Sequence, residues 1–229
     1  MPGLCAGRRT YSNDVVNCVM QRFVCWADDG IKGVSHLKID RKASLPEGTA
    51  SFYFRTRAAL LHAVAQRVAE QDLKVLAAAT RAPAPAANGD SGISETSGLA
   101  RLVARSATGP RRTRAKTRNE LAMEATRDPA LADVLRGYDE RFFGLIREAV
   151  MRFWPEGSDP EARIVDEQAY AVMMFISGVL FSRTSGETRT RTAQQLDSLI
   201  LGIVAGIGGV LGQSAPHGKR APQTRSVQP

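Results

Sequence analysis

The sequence lacks the features that identify most enzymes and membrane proteins. Aromatic residues make up 6% of its 229 residues, and no uninterrupted apolar run approaches the roughly 18 residues of a membrane span. The first ten residues carry charge without a hydrophobic stretch behind it, so we expect no signal peptide and a cytoplasmic location. No paired carboxylates, nucleophile with a base, or phosphate-binding glycine loop stands out, and we therefore predict that the chain is not an enzyme.

Cysteine and histidine are too scarce for a recognisable metal site. The three cysteines are Cys5, Cys18 and Cys25, and no CxxC motif occurs. Cys18 and Cys25 are seven positions apart on one predicted helix, which is too far for a disulfide. We expect buried structural thiols, with a redox sensor as the alternative. The three histidines are scattered, so we predict neither a metal nor a cofactor.

Apolar residues recur at helical spacing, and we find neither a strand pattern nor an internal repeat. A hydrophobic content of 43% excludes general disorder. The fold class predicted is all-α. Residues 1–11 form a basic arm, 80–97 a flexible loop rich in Pro, Gly and Ser, and 212–229 a disordered tail. Outside residues 34–56, helices are predicted at 13–28, 57–79, 98–108, 112–126, 129–153, 159–183 and 190–211.

Residues 34–61 predict two short helices joined by a tight turn. Ser35 is a good N-cap for the first, whose apolar face would be Leu37, Ile39 and Ala43, with Lys38, Asp40, Arg41 and Lys42 mostly outward. Ser44-Leu45-Pro46 is predicted to end this helix. Proline lacks a backbone N–H and suits the first turn of the next helix, where that group would be unpaired.

The second short helix is predicted at Glu47–Phe54, with Ala50 and Phe54 facing inward. Thr56 would cap a long helix, and the N-terminus of that helix together with Arg55 and Arg57 would form a phosphate site. This is the arrangement with which a helix-turn-helix enters the major groove, and the net charge of +8 suits a polyanion. The alternative is a three-helix packing unit without nucleic acid. The predicted DNA-binding residues are Ser35, Lys38, Glu47, Gly48, Thr49, Ser51, Phe52, Tyr53, Arg55 and Arg57.

The run Leu45-Pro46-Glu47-Gly48-Thr49, followed by Tyr53-Phe54, Arg57, Ala59 and Leu60, resembles the DNA-binding domain of the TetR (tetracycline repressor-like) family. The resemblance covers about residues 12–62 and implies that Ser35, Lys38, Thr49, Ser51, Tyr53 and Arg57 lie against DNA. Three residues depart from the family pattern. Ser44 replaces a turn glycine, Ser51 replaces a tyrosine, and Glu47 places an acid where lysine or serine is more common.

Segment 166–182 is apolar on more than one side, and the last predicted helix shows a similar excess. A helix of this kind is buried on both sides, and one side can be a subunit interface. The resemblance implies a homodimer in which two such helices from each copy form a four-helix interface. The alternative is a monomer whose core needs both helices.

A ligand pocket is predicted among the middle helices, where Met and Phe side chains with a few polar groups suit an apolar small molecule. The alternative for each residue is ordinary core. Arg118 or Asn119 could provide a polar anchor. The basic run 111–118 is expected to be a solvated helix start and loop, with contact to phosphate or to an anionic ligand as the alternative. The predicted ligand-binding residues are Leu102, Asn119, Met123, Tyr138, Phe142, Phe143, Met173 and Phe175.

Together these features predict a DNA-binding domain at residues 1–55, a helical regulatory and dimerisation domain at 56–211, and a tail at 212–229. The expected function is that of a dimeric transcription repressor released from a palindromic DNA operator by a small-molecule effector. The alternative is a DNA-binding protein without effector control, either constitutive or thiol-switched. No membrane partner is expected.

Overall fold

The structure is a computed structural model that describes residues 35–81, 96–106 and 108–213. Within these ranges the chain is all-α and has no strand, as predicted. The helix predicted at 13–28, the basic arm, the three cysteines, most of the predicted loop and the tail beyond residue 213 lie outside the described residues. The helices are α1 (His36–Ala43), α2 (Thr49–Tyr53), α3 (Arg57–Arg81), α4 (Gly98–Arg105), α5 (Gly109–Ala125), α6 (Pro129–Met151), α7 (Ala162–Thr184) and α8 (Ala193–Gln213).

The first two helices pack against the start of α3. Ile39 from α1, Ala50 from α2, and Leu60 and Leu61 from α3 are buried in one hydrophobic cluster. Ile39 and Ala43 face inward as predicted, because positions four apart lie on the same side of a helix.

Two orientations predicted for α1 are wrong. Leu37 was expected inside but is 42% exposed, and Asp40 was expected outside but is fully buried. The buried stripe of this helix runs through Ile39, Asp40 and Ala43, at spacings of one, three and four residues. Leu37 lies outside that stripe.

Helix α3 links two hydrophobic clusters. Its 25 residues span roughly 37 Å at the usual rise of an α-helix. At its N-terminal end, Leu60 and Val64 pack with Leu121 of α5 and Leu131 of α6. Further along α3, Leu76 belongs to a second cluster built mainly from α4, α6, α7 and α8. Packing is therefore continuous at residues 55 and 56, where the sequence predicts a boundary between two domains. The division into two domains stays a prediction.

The N-terminus of α4 lies directly against the C-terminal turn of α3. A Cβ at Gly98 would lie 2.0 Å from the carbonyl oxygen of Ala79, so a side chain at this position requires the two helices to separate. Ser97 caps α4 by accepting a hydrogen bond from the amide of Ala100 (3.2 Å), and its hydroxyl donates to the carboxylate of Asp197 in α8. This junction fixes α4 between α3 and α8.

The C-terminal helices lie where they were predicted, with shifted ends. Helix α5 begins at Gly109 instead of residue 112, because Thr108 takes the N-cap position and a proline follows in the first turn. Asp128 caps α6 by accepting from the amide of Leu131 at 3.1 Å. Helices α7 and α8 begin three residues later than predicted, at Ala162 and Ala193.

Among the described residues, two helices are long and apolar enough to cross a membrane, Ala162–Thr184 and Ala193–Gly212. No long uninterrupted apolar run marks these helices in the sequence, because polar residues such as Gln168 and Asp197 interrupt them. Those polar residues have protein partners: Gln168 of α7 donates to the carbonyl oxygen of Val204 (2.8 Å), and Asp197 accepts from Ser97. Length and composition alone are weak evidence for a span, because core helices meet the same criteria.

Candidate nucleic-acid interface and ligand cavity

The turn between α1 and α2 has left-handed backbone at two positions. Ser44 has φ +55° and ψ +38° and is the single non-glycine residue with positive φ in the described chain. Gly48 has φ +93° and occupies the N-cap of α2. The predicted start of α2 at Glu47 is therefore two residues too early, because the positive φ of Gly48 is incompatible with a right-handed helix.

Asp40 takes the place of a local N-cap side chain for α2. Gly48 has no side chain to cap the helix, and the carboxylate of Asp40 reaches across from α1. Its Oδ2 accepts from the amide of Gly48 at 2.8 Å, and its Oδ1 accepts from the amide of Ala50 at 2.7 Å. Charge-assisted bonds of this kind are stronger than neutral ones, so Asp40 holds α2 at a fixed angle to α1.

Helix α2 presents one face to solvent and the other to the core, but Tyr53, which was expected to be exposed, is half-buried against the first cluster. Ala50 is fully buried and Phe54 is nearly so, whereas Ser51 is exposed and Phe52 is 77% exposed. The ring of Phe52 meets that of Tyr53 edge to face, with centroids 5.2 Å apart. An exposed phenylalanine on a rigid short helix is the kind of side chain that contacts a thymine methyl group in the major groove.

Several side chains stabilise the start of α1 and connect α1 and the turn to α2. Ser35 caps α1 by accepting from the amide of Lys38 at 3.4 Å, and the exposed Lys38 lies in the first turn. Nε2 of His36 donates to the carbonyl oxygen of Phe54 at 2.6 Å, which ties the start of α1 to the end of α2. Arg41 and Glu47 form an exposed ion pair (3.3 Å) across the turn, so Glu47 has a cationic neighbour.

The start of α3 is capped as predicted, but its arginine is engaged elsewhere. Thr56 accepts from the amide of Ala59 at 3.1 Å, and Arg55 beside it is exposed. The guanidinium of Arg57 donates to Oε1 of Glu124, near the C-terminus of α5, at 3.0 Å. Sequence reasoning missed this pair because its members are 67 positions apart. It joins the helix-turn-helix to the C-terminal helices.

A second contact joins the same two parts of the chain. Nε2 of His62 in α3 lies 3.2 Å from Oδ2 of Asp128, the N-cap of α6. The hydrogen bond from the Leu131 amide, followed by that from His62, holds the pKa of Asp128 below its ordinary value. The carboxylate therefore remains ionised at neutral pH, and it carries both the helix cap and the contact to α3.

A cavity of about 170 Å³ lies between α3, α4, α5, α6 and α7. Apolar side chains from four of these helices form most of its wall: Leu76, Leu102, Val103, Phe142, Ile146, Met173 and Ile176. Arg183 caps the C-terminal end of α4, because its guanidinium donates to the carbonyl oxygens of Val103 and Ala104. Sequence reasoning missed Arg183, because an arginine at the end of an apolar helix resembles a solvated helix end.

Charged groups occupy one side of this cavity. Arg111, Arg114 and Arg118 of α5, here called the arginine cluster, line it together with Asp72 and Asp139. Asp72 pairs with Arg118 (2.6 Å) and Arg114 (3.2 Å). Desolvation raises the pKa of Asp139, and the charge of Arg118 partly opposes that rise. The basic run was expected to be a solvated helix start, but these three arginines line the cavity. The alternative, contact with phosphate or an anionic ligand, stays a prediction.

The structure places three of the predicted ligand-binding residues, Leu102, Phe142 and Met173, together in the cavity wall. Three others pack elsewhere. Asn119 donates to the hydroxyl of Thr184 at 2.8 Å, Tyr138 lies under the guanidinium of Arg141, and Phe143 packs against the second cluster.

Two more of these predicted residues lie away from the cavity. Phe175 faces a groove on another side of α7. Met123 was expected to face inward, but it is 61% exposed, so that orientation is wrong. Periodicity identifies an apolar residue but cannot separate the cavity wall from core or surface.

Helices α7 and α8 expose an apolar face that the rest of the described chain does not cover. Tyr170, Met174 and Phe181 of α7 and Leu199 of α8 are exposed. Glycines on the same two helices, at positions 178, 202 and 206, have no atom within 4 Å of where a Cβ would lie. We call this surface the α7–α8 face.

These features describe a helix-turn-helix protein whose C-terminal helices enclose a cavity. Residues 95–206 match the family model described as the tetracyclin repressor-like C-terminal domain. The sequence has no significant match among curated proteins.

Solved structures share the fold. A TetR-family transcriptional regulator from Mesorhizobium loti is 17% identical, with a TM-score of 0.63 over 87% of this chain and 97% of that one. Another from Rhodococcus sp. is 17% identical, with a TM-score of 0.61 over 85% and 98%. The multidrug binding protein EbrR, complexed with imidazole, is 19% identical, with a TM-score of 0.57 over 86% and 93%.

The C-terminal helical part of the chain, residues 95–206, belongs to the tetracyclin repressor-like (TetR) family. The family match covers α4 to α7 and most of α8, and the shared fold extends over the helix-turn-helix as well. The resemblance seen in residues 12–62 is therefore confirmed at the level of the family.

Proposed function

We propose that the protein is a dimeric, DNA-binding transcription repressor that a small molecule releases from a palindromic operator. The observation that carries this proposal is the geometry of α2. Asp40 and the buried Ala50 fix its inner side, and Ser51 and Phe52 stand outward on a rigid support. A short helix presented in this way can enter a major groove with a defined set of side chains.

Backbone contacts would come from residues that flank α2. Ser35 and Lys38 lie at the start of α1, and Arg55 lies just before the N-terminus of α3. Helix N-termini and basic side chains bind phosphate, and such contacts set the register of a protein on DNA. Arg57 would bind phosphate only by sharing its charge with Glu124 or by leaving it.

The α7–α8 face is proposed as the contact with a second copy of the chain. Its apolar side chains are exposed, and its glycines leave room for close helix approach. Two helices from each copy would bury this face as a four-helix interface around a two-fold axis. A two-fold dimer places two α2 helices on successive major grooves and matches a palindromic operator.

The cavity is proposed as the effector site. Helix α3 contributes Asp72 and Leu76 to its wall, and α5 contributes the arginine cluster. The same two helices meet again near the helix-turn-helix through Arg57 and Glu124. An effector that favours a different separation of α3 and α5 would therefore tilt α2, and it acts only if it prefers that state.

Two further parts of the proposal concern location and alternatives. A DNA-binding regulator acts where the DNA is, so we propose a cytoplasmic location and a regulatory rather than catalytic role. A constitutive DNA-binding protein is the second candidate, and the cavity of about 170 Å³ favours the effector-controlled one.

The test is affinity capture of fragmented genomic DNA by the purified full chain, followed by sequencing. The expected result is one enriched near-palindromic motif. Ser51→Glu should abolish the enrichment, because it places a negative charge on the exposed side of α2 facing phosphate and base edges. Met123→Glu is the matched control, since this residue is 61% exposed on α5. Capture without a motif, or equal loss in both variants, contradicts the proposal.

A further inference from the structure

We propose that the cavity binds a small amphipathic anion, a molecule with an apolar body and one carboxylate-type group that Arg111 holds. This inference names the ligand class of the proposed effector site, and it rests on the proposed function only in calling that ligand an effector. Two other grooves, one between α3 and α6 and one beside Phe175, suit such a ligand less well. The first carries balanced charges, two acidic and two basic side chains. The second has a surplus of arginine over acid, but its lining is much less apolar.

The charges that face the cavity leave a surplus of one positive charge. Arg111, Arg114 and Arg118 stand against two carboxylates, those of Asp72 and Asp139. All five groups line one partly open cavity, where the effective dielectric is lower than in water and charges interact more strongly. A ligand with one negative charge neutralises this surplus, whereas a cation increases it.

The surplus charge is located at Arg111. Oδ2 of Asp72 lies 2.6 Å from Arg118, and its Oδ1 lies 3.2 Å from Nε of Arg114, so both of its oxygens are already engaged. Arg111 is half-buried and makes no ion pair with the described residues. A cationic ligand would find the Asp72 carboxylate occupied, whereas an anion would find a guanidinium available.

Arg114 adds an unsatisfied donor to the same wall. Its Nε is buried and makes no hydrogen bond within the described chain, although it lies close to Asp72, because the alignment is poor. Buried donors without acceptors are uncommon in folded proteins and often mark a site for water or a ligand. A carboxylate bound at Arg111 would bring acceptor oxygens to this side of the cavity.

The rest of the cavity determines the size and polarity of the part of the ligand that carries no charge. Its wall is mostly apolar, with Leu102, Phe142, Met173 and Ile176 among the lining residues. Its volume of about 170 Å³ is close to that of an engineered protein cavity of about 150 Å³ that binds benzene. One aromatic ring with a short alkyl substituent therefore fits, whereas a large polycyclic drug requires the cavity to expand.

The test compares three probes that share a body and differ in charge: 4-ethylbenzoate, 4-ethylbenzyl alcohol and 4-ethylbenzylamine. Calorimetric titration into the full chain at neutral pH should give the benzoate an affinity about tenfold above that of the alcohol, with the amine weakest. Arg111→Gln should remove most of this preference while leaving the alcohol unaffected, and Arg111→Lys should keep part of it. Arg112→Gln is the matched control, because Arg112 is exposed, adjacent and absent from the cavity wall.

The inference is overturned if the benzoate binds no better than the alcohol, if none of the three probes binds, or if both glutamine variants lose affinity equally. Its failure is distinguishable from that of the proposed function. Benzoate binding without any change in DNA affinity supports the ligand class and contradicts effector control. DNA release by the alcohol or the amine alone supports effector control and overturns the ligand class.

Discussion

Single residues set the geometry of the turn that precedes α2. Ser44 ends α1 in the left-handed region, where the Cβ of an L-residue is crowded by the backbone. The resemblance implies a glycine at this position, and glycine adopts left-handed backbone without this strain. The departure was visible in the sequence, but the backbone angle that makes it costly is a property of the structure.

Ser44→Gly should therefore stabilise the protein. Removing the left-handed strain gains about 1–2 kcal/mol, and the greater freedom of glycine in the unfolded chain offsets about 0.4–1 kcal/mol of this. We expect a rise in Tm of about 1–3 °C in a thermal melt. Ser106→Gly is the control, because Ser106 ends α4 with right-handed backbone, φ −76° and ψ −6°. A Tm for Ser44→Gly no higher than that of the control contradicts the argument.

Phe52→Ala should reduce sequence-specific DNA binding without changing stability. The side chain is 77% exposed, so little apolar surface leaves the core when it is removed. A lost contact to a base edge costs about 1–3 kcal/mol, or at least a fivefold weaker affinity for the operator. Fluorescence anisotropy with operator and random duplexes measures both. Equal weakening on the two duplexes would show that Phe52 does not read the sequence.

At the scale of elements, helix ends are fixed by side chains from other helices. Helix α2 depends on Asp40 of α1, and α4 depends on the close approach of Gly98 to α3. Both contacts join elements that local sequence cannot bring together. The arrangement makes the helix-turn-helix rigid as a unit, which favours defined side-chain positions on DNA.

Asp40→Ala should destabilise the chain by about 2–3 kcal/mol, because two amides lose a charged acceptor and at least one of them is buried. Denaturant unfolding followed by circular dichroism measures the change. Asp133→Ala is the matched control, since Asp133 forms an exposed ion pair with Arg136 and such pairs contribute about 0–1 kcal/mol. Equal effects in the two variants would remove Asp40 from its capping role.

Gly98→Ala should also be destabilising, by more than the roughly 1 kcal/mol that alanine usually gains over glycine in a helix. The added methyl group would lie 2.0 Å from the carbonyl oxygen of Ala79, a backbone atom, so α3 and α4 must separate. Gly137→Ala is the comparison, because no atom lies within 4 Å of the Cβ position there. The same unfolding measurement should show a loss for the first variant and none for the second.

At the scale of the whole molecule, the two hydrophobic clusters and the α7–α8 face correspond to different parts of the proposed function. The cluster at the start of α3 supports the helix-turn-helix, and the cluster further along α3 surrounds the cavity. Helix α3 belongs to both, and its pairs with Glu124 of α5 and with Asp128, the N-cap of α6, lie at the first cluster. A displacement at the cavity can therefore reach α2 through one continuous helix.

Phe181→Glu should dissociate the proposed dimer. Phe181 is 57% exposed in the α7–α8 face, and a carboxylate there would be buried without a partner in the interface. Size-exclusion chromatography with light scattering should show the unmodified chain as a dimer and this variant as a monomer. Met123→Glu, which makes the same charge change outside that face, should remain dimeric. A monomeric unmodified chain refutes the interface.

The sequence by itself determined the local features: the all-α class, the N-caps Ser35 and Thr56, the inward Ala50 and Phe54, and the approximate ends of most described helices. Caps and periodicity involve residues within about four positions of each other, so their geometry is written into a short stretch of chain. The family followed from the same local pattern around α2.

Only the tertiary structure decided which distant residues meet. It turned Asp40 inward, paired Arg57 with Glu124, moved Met123 to the surface, and placed the arginine cluster beside Asp72 at the cavity. These outcomes depend on how helices pack against each other, and the same apolar or charged residue satisfies helical spacing whether it faces core, cavity or solvent. The charges at the cavity come together because α3 and α5 lie side by side, which local sequence does not reveal.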